Sequence, residues 1–327
     1  MQRAQHCTER DVTRRAPFAF PSNVHHGACH AAQPFAGSCY DYVLSFDITL
    51  ESALMKAPPP VDFDRTAQDY ARHRVGFPPS LYARLADHGV GLLGQEILDL
   101  GTGTGDLARG LARRGCSVTG VDIAPALLAA AAQLDEAAAV AVRYVEARVE
   151  ALPLPAGSVD VVTAGQCWHW FDRPAALVGA RRVLRPGGAL VLATFDWLPL
   201  PGNVVEATEA LIEHFNPTQQ KPHVRFGHAA GIYPRWAQDL DEGGFLQVET
   251  FSYDHPVLYT HEGWRGRIRA SQGVGASLPP DEVARFDAEH AALLRDRFPG
   301  DPLSIPHRVF VALGRMPGPS AVVASTP

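Results

Sequence analysis

Residues 97–108 read Ile97-Leu98-Asp99-Leu100-Gly101-Thr102-Gly103-Thr104-Gly105-Asp106-Leu107-Ala108, and this stretch decides the fold. An apolar run carries an acid near its end, three glycines then alternate with two threonines, and a helical pattern follows. This order predicts a buried strand, a tight loop and the start of a helix. The glycines allow a sharp turn and let a ligand approach the backbone without a Cβ in the way.

The spacing of the loop distinguishes it from other nucleotide-binding loops. It is Gly-x-Gly-x-Gly, whereas a pyrophosphate loop usually shows Gly-x-Gly-x-x-Gly. Asp99 precedes the first glycine, where a carboxylate would repel a pyrophosphate but suits an ammonium group, directly or through water. No Gly-Lys-Ser/Thr ending follows, which disfavours a triphosphate loop. A second predicted strand, residues 118–122, ends in Asp122, and an acid at that tip accepts hydrogen bonds from ribose hydroxyls.

The glycine stretch resembles motif I of class I S-adenosylmethionine-dependent methyltransferases, and Asp122 resembles their ribose-binding acid. The resemblance spans residues 63–316 and points to type 11-like small-molecule enzymes, the branch that includes trans-aconitate methyltransferase. Two further segments carry it: Gln166-x-x-His169-Trp170-Phe171 and Arg182-Val183-Leu184-Arg185-Pro186-Gly187-Gly188. It implies an α/β fold with a doubly wound, mostly parallel, seven-stranded Rossmann-like sheet, an antiparallel last hairpin and a helical lid.

The resemblance also implies a cofactor, S-adenosyl-L-methionine, whose methyl group passes to a small-molecule acceptor by in-line displacement. The implied cofactor-binding residues follow the strand ends. Arg148 stands where the family often has an acid, so a side-chain acceptor for the adenine amine is not defined here. The candidates are Asp99, Gly101, Thr102, Gly103, Gly105, Asp122, Ile123, Val149 and Gln166.

Catalytic and acceptor-binding candidates come from three segments outside the glycine loop. Residues 63–74 resemble the N-terminal lid of the family, which places Tyr70 and Arg74 near the methionine end or the acceptor; Tyr70 packing alone is the alternative. His169 is a candidate general base, or else a residue that positions its loop. Arginines at positions 265, 267 and 269 suit an acidic substrate or a solvated face. The catalytic candidates are therefore His169 and Tyr70, and the acceptor candidates are Arg74, Trp168, Trp170, Arg267 and Arg269.

The chain divides into three parts on its sequence pattern. Residues 1–60 lack helical or strand periodicity, so we expect a disordered extension, and Met55 begins a segment that reads like an ordinary protein start. Residues 61–316 form the predicted methyltransferase domain, with a lid over 61–92, a core over 93–200, and core with substrate-covering insertions over 201–316. Residues 317–327 are rich in proline and small residues and predict a disordered tail.

Composition excludes several classes of protein. The 327 residues carry a net charge of -6 without a long basic run, which argues against a nucleic-acid partner. No apolar run is long enough to cross a membrane. The five cysteines include no Cys-x-x-Cys pair, so we expect no metal site and a reducing cytoplasmic location.

Two other functions remain open on the sequence alone. A nicotinamide-dependent oxidoreductase would use a similar sheet, although Asp99 and the glycine spacing disfavour it. A non-catalytic S-adenosylmethionine-binding protein would share every motif, because a scaffold can persist without its chemistry. Carboxylate, hydroxyl and amine acceptors all remain open. The arginines and the aromatic loop favour a small organic acid or a hydroxylated metabolite. The sequence does not predict an oligomeric state.

Overall fold

The strands of this protein form one seven-stranded sheet. The computed structural model describes residue 69 and residues 72–217 and 230–318. Within these ranges the strand order is β3-β2-β1-β4-β5-β7-β6. The strands are β1 (Glu96–Leu100), β2 (Ser117–Asp122), β3 (Arg143–Glu146), β4 (Val159–Gly165), β5 (Leu184–Trp197), β6 (Leu246–Tyr259) and β7 (Leu303–Arg315).

Strands β1 to β5 run parallel, and β7 lies antiparallel between β5 and β6. This arrangement confirms the predicted mostly parallel sheet with a reversed last hairpin. Helices connect the strands and lie against the sheet. They are α1 (Pro79–Asp87), α2 (Asp106–Ala112), α3 (Pro125–Ala137), α4 (Arg173–Val183), α5 (Val204–Phe215), α6 (Pro234–Glu242), α7 (His261–Arg269) and α8 (Pro280–Arg297).

Both faces of the sheet are covered, as the apolar runs of the central strands require. Successive residues of β1 point to opposite faces, so Ile97 joins one hydrophobic core and Leu98 and Leu100 join the other. The first core includes residues of α1, α2, α5, α7 and α8, and the second includes residues of α4 and α6. The central strands are therefore covered on both sides, and their carboxyl ends are the place where a ligand of such a sheet binds.

The last three strands extend beyond the limits that the sequence pattern predicts, which are residues 189–194, 245–253 and 307–315. Strand β5 begins at Leu184, although the sequence predicts a turn at residues 185–188 and a strand only from residue 189. Leu184 pairs with Val159, and a bulge absorbs the turn residues. Strand β6 continues past residue 253 and β7 starts before residue 307, because Pro256 pairs with Pro306 in the ladder and does not end it. Pro256 is tolerated because β6 is an edge strand, and Pro306 lies just before His307, where the pairing of β7 with β5 ends.

Several predictions fall outside the described residues. These are the extension over residues 1–60, most of the lid helix over residues 63–74 including Tyr70, and residues 319–327 of the tail. Where the chain is described, no helix combines the length and the apolar character needed to cross a membrane.

Candidate active site at the carboxyl ends of the strands

A cleft of about 530 Å³ opens where the parallel strands end. Ligands of open α/β sheets bind at this edge, beside the point where the strand order reverses. Here the reversal falls between β1 and β4. One wall of the cleft is formed by Arg74, Val75 and Phe77, which belong to residues 72–77, here called the lid segment. The rest of the lining comes from the glycine loop and from residues that follow β2, β3 and β4.

The glycine loop takes a backbone conformation that only glycine adopts easily. Gly101, Gly103 and Gly105 have φ values of 56°, 55° and 74°. A Cβ on Gly105 would overlap the hydroxyl of Tyr144, whereas a Cβ on Gly103 would meet nothing within 4 Å. The loop is thus closed against the protein at Gly105 and open toward the cleft at Gly103. Gly105 is the N-cap of α2, so the positive end of that helix also lies here.

Asp99 lies at the bottom of the cleft and is 1% exposed. Its carboxylate accepts hydrogen bonds from Thr102 Oγ1 at 2.7 Å and from Thr163 Oγ1 at 2.6 Å. Burial raises the pKa of Asp99 to about 7, although both hydroxyls act against the rise. A cation placed beside this carboxylate would stabilise its charged form, as the sequence analysis expects of an ammonium group.

Asp122 stands at the tip of β2, as predicted. It accepts hydrogen bonds from the backbone N–H of Gly103 at 2.8 Å and from that of Ala124 at 3.0 Å. One carboxylate therefore joins the glycine loop to the start of α3. Ile123 follows it with 63% of its surface exposed at the cleft. An apolar side chain in that position offers a flat contact for an aromatic ring.

The wall formed after β3 contains one acid that sequence reasoning missed. Val149 lines the cleft, as predicted, in a short 3₁₀ turn over Val149–Ala151. Arg148, in the place of the expected acid, points largely into solvent and pairs with Glu150 at 3.4 Å. Glu150 itself lines the cleft. The sequence signal that could have located Glu150 is its position, two residues after the place where the family often has an acid.

The lid segment is fixed to the glycine loop through Asp106, a second acid that the sequence analysis did not single out. Asp106 Oδ2 accepts a hydrogen bond from the Phe77 backbone N–H at 2.8 Å. The segment passes so close that a Cβ on Gly76 would overlap the Asp106 carboxylate. Burial raises the pKa of Asp106, and the charge of Arg74 opposes that rise. The sequence signal that could have located Asp106 is its position in the first turn of the helix that follows the glycine loop.

Gln166 joins the lid segment to β5. Its backbone has a φ of 60°, which is uncommon for a residue with a side chain. Its amide oxygen accepts a hydrogen bond from Arg74, and its amide nitrogen donates to Phe195 O at 2.8 Å. Both Gln166 and Arg74 line the cleft, so the structure brings these two candidates together.

The aromatic segment after β4 divides between the cleft and the core. Trp170 lines the cleft. Trp168 is fully buried and donates from Nε1 to Asp239 at 3.0 Å, so it is a core residue and its predicted contact with the acceptor is corrected. The ring of His169 stacks on Tyr233 at 6.4 Å and is not among the residues lining the cleft. The short 3₁₀ turn sends these three consecutive side chains in different directions.

The two arginine candidates of α7 have different surroundings. Arg269 pairs with Asp69 at 3.1 Å, Glu262 at 3.0 Å and Asp287 at 2.8 Å, so it belongs to a surface ion network and not to an acceptor site. Arg267 points inward, with its guanidinium carbon 4.6 Å from the centre of the Trp197 ring. In residues 72–217 and 230–318, no group of three or more His, Cys, Asp or Glu side chains is placed to hold a metal ion.

Comparison with known protein families agrees with this geometry. Residues 98–192 match the family model described as "Methyltransferase domain", and this segment contains the glycine loop, Asp122 and strands β2 to β4. Residues 98–192 are therefore similar to a methyltransferase domain. A solved structure from Anaeromyxobacter dehalogenans, assigned provisionally as a type II methyltransferase, superposes on it with a TM-score of 0.55 and 25% identity. That match covers 75% of this chain and 99% of the other.

Two sequence relatives of the methyltransferase domain have named activities. The chain is 47% identical over 104 residues to a demethylmenaquinone methyltransferase of Thermus thermophilus, covering 31% of this chain and 47% of that protein. It is 39% identical over 116 residues to a ubiquinone biosynthesis O-methyltransferase of Pseudomonas aeruginosa, covering 35% and 50%. The chain thus spans about half the length of the curated relatives it matches.

Proposed function

We propose that this protein transfers a methyl group from S-adenosyl-L-methionine to a small-molecule acceptor. The observation that carries the proposal is the pair of carboxylates, Asp99 and Asp122, on one cleft within a methyltransferase domain. Asp99 suits the cationic amino-acid end of the cofactor, and Asp122 suits the ribose. The open space above Gly103 leaves room for a ligand between them.

The remaining wall residues fit the other parts of the cofactor. Ile123 offers an apolar surface for the adenine ring, and the backbone N–H near Val149 is available for a ring nitrogen. Glu150 supplies the carboxylate that Arg148 does not, at the side of the cleft where the exocyclic amine would lie. Phe77, Trp170 and Phe171 provide aromatic surfaces, and aromatic faces stabilise cations such as a sulfonium.

When bound, S-adenosylmethionine supplies a methyl group on a positively charged sulfur; the acceptor's lone pair forms the new bond as the carbon–sulfur bond breaks, leaving a neutral thioether. The protein's main tasks are to align the acceptor with that methyl group and to exclude water. The lid segment performs the second task, because Phe77 and Arg74 are held over the cleft by Asp106 and Gln166.

A small molecule is the proposed acceptor for two reasons. The cleft of about 530 Å³ is of the size that small ligands occupy. The two named relatives are methyltransferases of demethylmenaquinone and of ubiquinone biosynthesis. Their acceptors are not assigned to this chain, because the match covers only half of each relative. The cytoplasmic location and the absence of a nucleic-acid partner remain predictions from composition.

Calorimetric titration of the full chain with S-adenosylmethionine, its demethylated product and NADH tests the proposal. We expect both sulfur compounds to bind and NADH not to bind. Binding of NADH without binding of S-adenosylmethionine would favour the oxidoreductase. Binding of the cofactor without methyl transfer to any component of a metabolite extract would favour the non-catalytic alternative, so a transfer assay belongs beside the titration.

A further inference from the structure

The three arginines of α7 have different surroundings although they alternate along one helix. Arg265 and Arg269 are four residues apart and share a helix face. Both pair with Asp287 of α8: Arg265 Nε donates to Oδ1 at 3.0 Å and Arg269 Nη1 donates to the same oxygen at 2.8 Å. Arg267 lies on the opposite face of the helix. The outer arginines therefore serve the packing of α7 on α8, and the middle one does not.

Arg267 lies inside the protein without an ion-pair partner among the described residues. Its guanidinium packs 4.6 Å from the centre of the Trp197 ring and lies near the Tyr259 hydroxyl. The acid whose charge reaches it, Asp196, already accepts a hydrogen bond from Tyr233 at 2.7 Å. Burying a cation without an anion is costly unless a ligand supplies the opposite charge.

A second arginine, Arg74, lies on the segment that packs against α7, where a Cβ on Gly266 would overlap the ring of His73. Burial and the positive charge of Arg267 lower the pKa of Arg74 to about 10, although nearby acids act against the change. Arg74 lines the cleft and donates to Gln166. Two neighbouring arginines repel each other, and an anion bound between them would remove that repulsion. The guanidinium groups of Arg74 and Arg267 would therefore stabilise a negatively charged group bound between them, beside the cofactor cleft.

The surroundings connect this place to the lid segment. The Tyr259 hydroxyl lies near both the Val75 backbone N–H and Arg267. The His307 ring lies 6.2 Å from Tyr259, and its Nδ1 is bonded to Ile305 O at 2.9 Å. Burial lowers the pKa of His307 to about 4, so this ring is neutral at neutral pH. His307 therefore adds no charge beside the two arginines.

We propose that Arg267 and Arg74 bind an oxyanion of the methyl acceptor, a carboxylate or a phosphate, so that the substrate of this enzyme is a small acidic molecule. The planar fork of a guanidinium matches two oxygens of either group. The inference rests on the proposed methyltransferase function and names the class of its acceptor. It also explains why the outer arginines of α7 have carboxylate partners while Arg267 has none within the part of the chain that the structure describes.

The first experiment compares the wild type, Arg267→Gln and Arg265→Gln as full chains. A small-molecule extract is separated by anion exchange into anionic and non-anionic fractions, and each is incubated with S-adenosylmethionine that carries a deuterated methyl group. We expect labelled products in the anionic fraction. With the acceptor isolated from that fraction, Arg267→Gln should raise its KM about 10- to 100-fold, the loss expected for a charged hydrogen-bonded pair.

Arg265→Gln is the matched control, since it removes the same charge from the same helix and should leave the KM of the acceptor unchanged. The affinity for S-adenosylmethionine should stay the same in both variants, which shows that the cofactor cleft is intact. Arg267→Lys provides a folded alternative if the glutamine variant does not fold, and it should give an intermediate KM because it keeps the charge and loses the fork.

Carboxylates, phosphate monoesters and the corresponding neutral amides and alcohols, tested as competitors, distinguish the two sources of the anion. Labelled products confined to the non-anionic fraction would overturn the inference and leave the methyltransferase function in place. An acidic product whose KM is unaffected by either Arg267 substitution would overturn it too. Failure of the wild type to bind S-adenosylmethionine would instead contradict the proposed function itself.

Discussion

Replacing Asp122 with Asn tests the cofactor site most directly. The carboxylate accepts one hydrogen bond from Gly103 and one from Ala124 within the protein. In the proposed complex it also accepts from the ribose hydroxyls. An asparagine keeps the shape but has one acceptor oxygen and an amide group that can only donate. Losing a hydrogen bond to a charged acceptor costs about 1.5–3 kcal/mol, so we expect the Kd of S-adenosylmethionine to rise about 10- to 150-fold.

The assay is calorimetric titration of both proteins with S-adenosylmethionine and with an analogue that lacks the ribose hydroxyls. The analogue should bind the wild type weakly, and Asp122→Asn should weaken its binding little further, because the two changes remove the same interaction. Glu146→Gln is the control for the loss of a negative charge. Glu146 is the neighbour of Asp122 in the β2–β3 register, but its side chain is exposed and does not line the cleft. A variant that binds the cofactor within about threefold of the wild type would refute the reasoning.

Three further predictions concern the loop and its support. Gly105→Ala should destabilise the fold by about 2 kcal/mol or more in urea unfolding, because it adds left-handed strain and a Cβ overlapping the Tyr144 hydroxyl. Arg109→Ala should lower the free energy of unfolding by about 3–5 kcal/mol, since it breaks the buried 2.6 Å pair with Asp135. Affinity for S-adenosylmethionine should increase as pH rises toward about 7, where Asp99 loses its proton, and should level off above that value.

Each of these predictions has a matched comparison. Gly187 also has a positive φ, but a Cβ there would meet no atom within 4 Å, so Gly187→Ala should lower the free energy of unfolding only through backbone strain. An equal loss of stability in both variants would disprove the clash at Gly105. Arg148→Ala removes an arginine whose side chain is 71% exposed and should cost less than about 1 kcal/mol. Asp99→Asn should abolish both the pH dependence of the affinity for S-adenosylmethionine and the release of a proton on binding. If the affinity of this variant still depended on pH in the same way, Asp99 would be excluded as the group that titrates.

The parts of the site that sequence predicted well are those fixed by local chain order. A strand, a glycine loop and a helix follow one another within residues 96–112, and the carboxyl ends of parallel strands share one edge of the sheet. Asp99 and Asp122 could therefore be placed from their positions after apolar runs. The parallel sheet follows from the same alternation of strand and helix, whereas the reversed final hairpin was expected only from the family resemblance.

The parts that sequence could not place depend on distant partners. Trp168 and Trp170 are two residues apart, yet one is drawn into the core by Asp239 and the other faces the cleft. Arg267 and Arg269 differ for the same reason, because Asp287 of a later helix determines which arginines form ion pairs. No local pattern records which side of a short turn or helix will meet such a partner.

The contact between Asp106 and the backbone of Phe77 has a consequence for how the two substrates bind. Residues 74–77 form a wall of the donor cleft, and the same few residues reach Tyr259 and Arg267 on the other side. In the proposed complex, donor and acceptor contact opposite sides of this segment, which is anchored to the first turn of α2. We expect binding of one substrate to change the affinity for the other through the segment that they share.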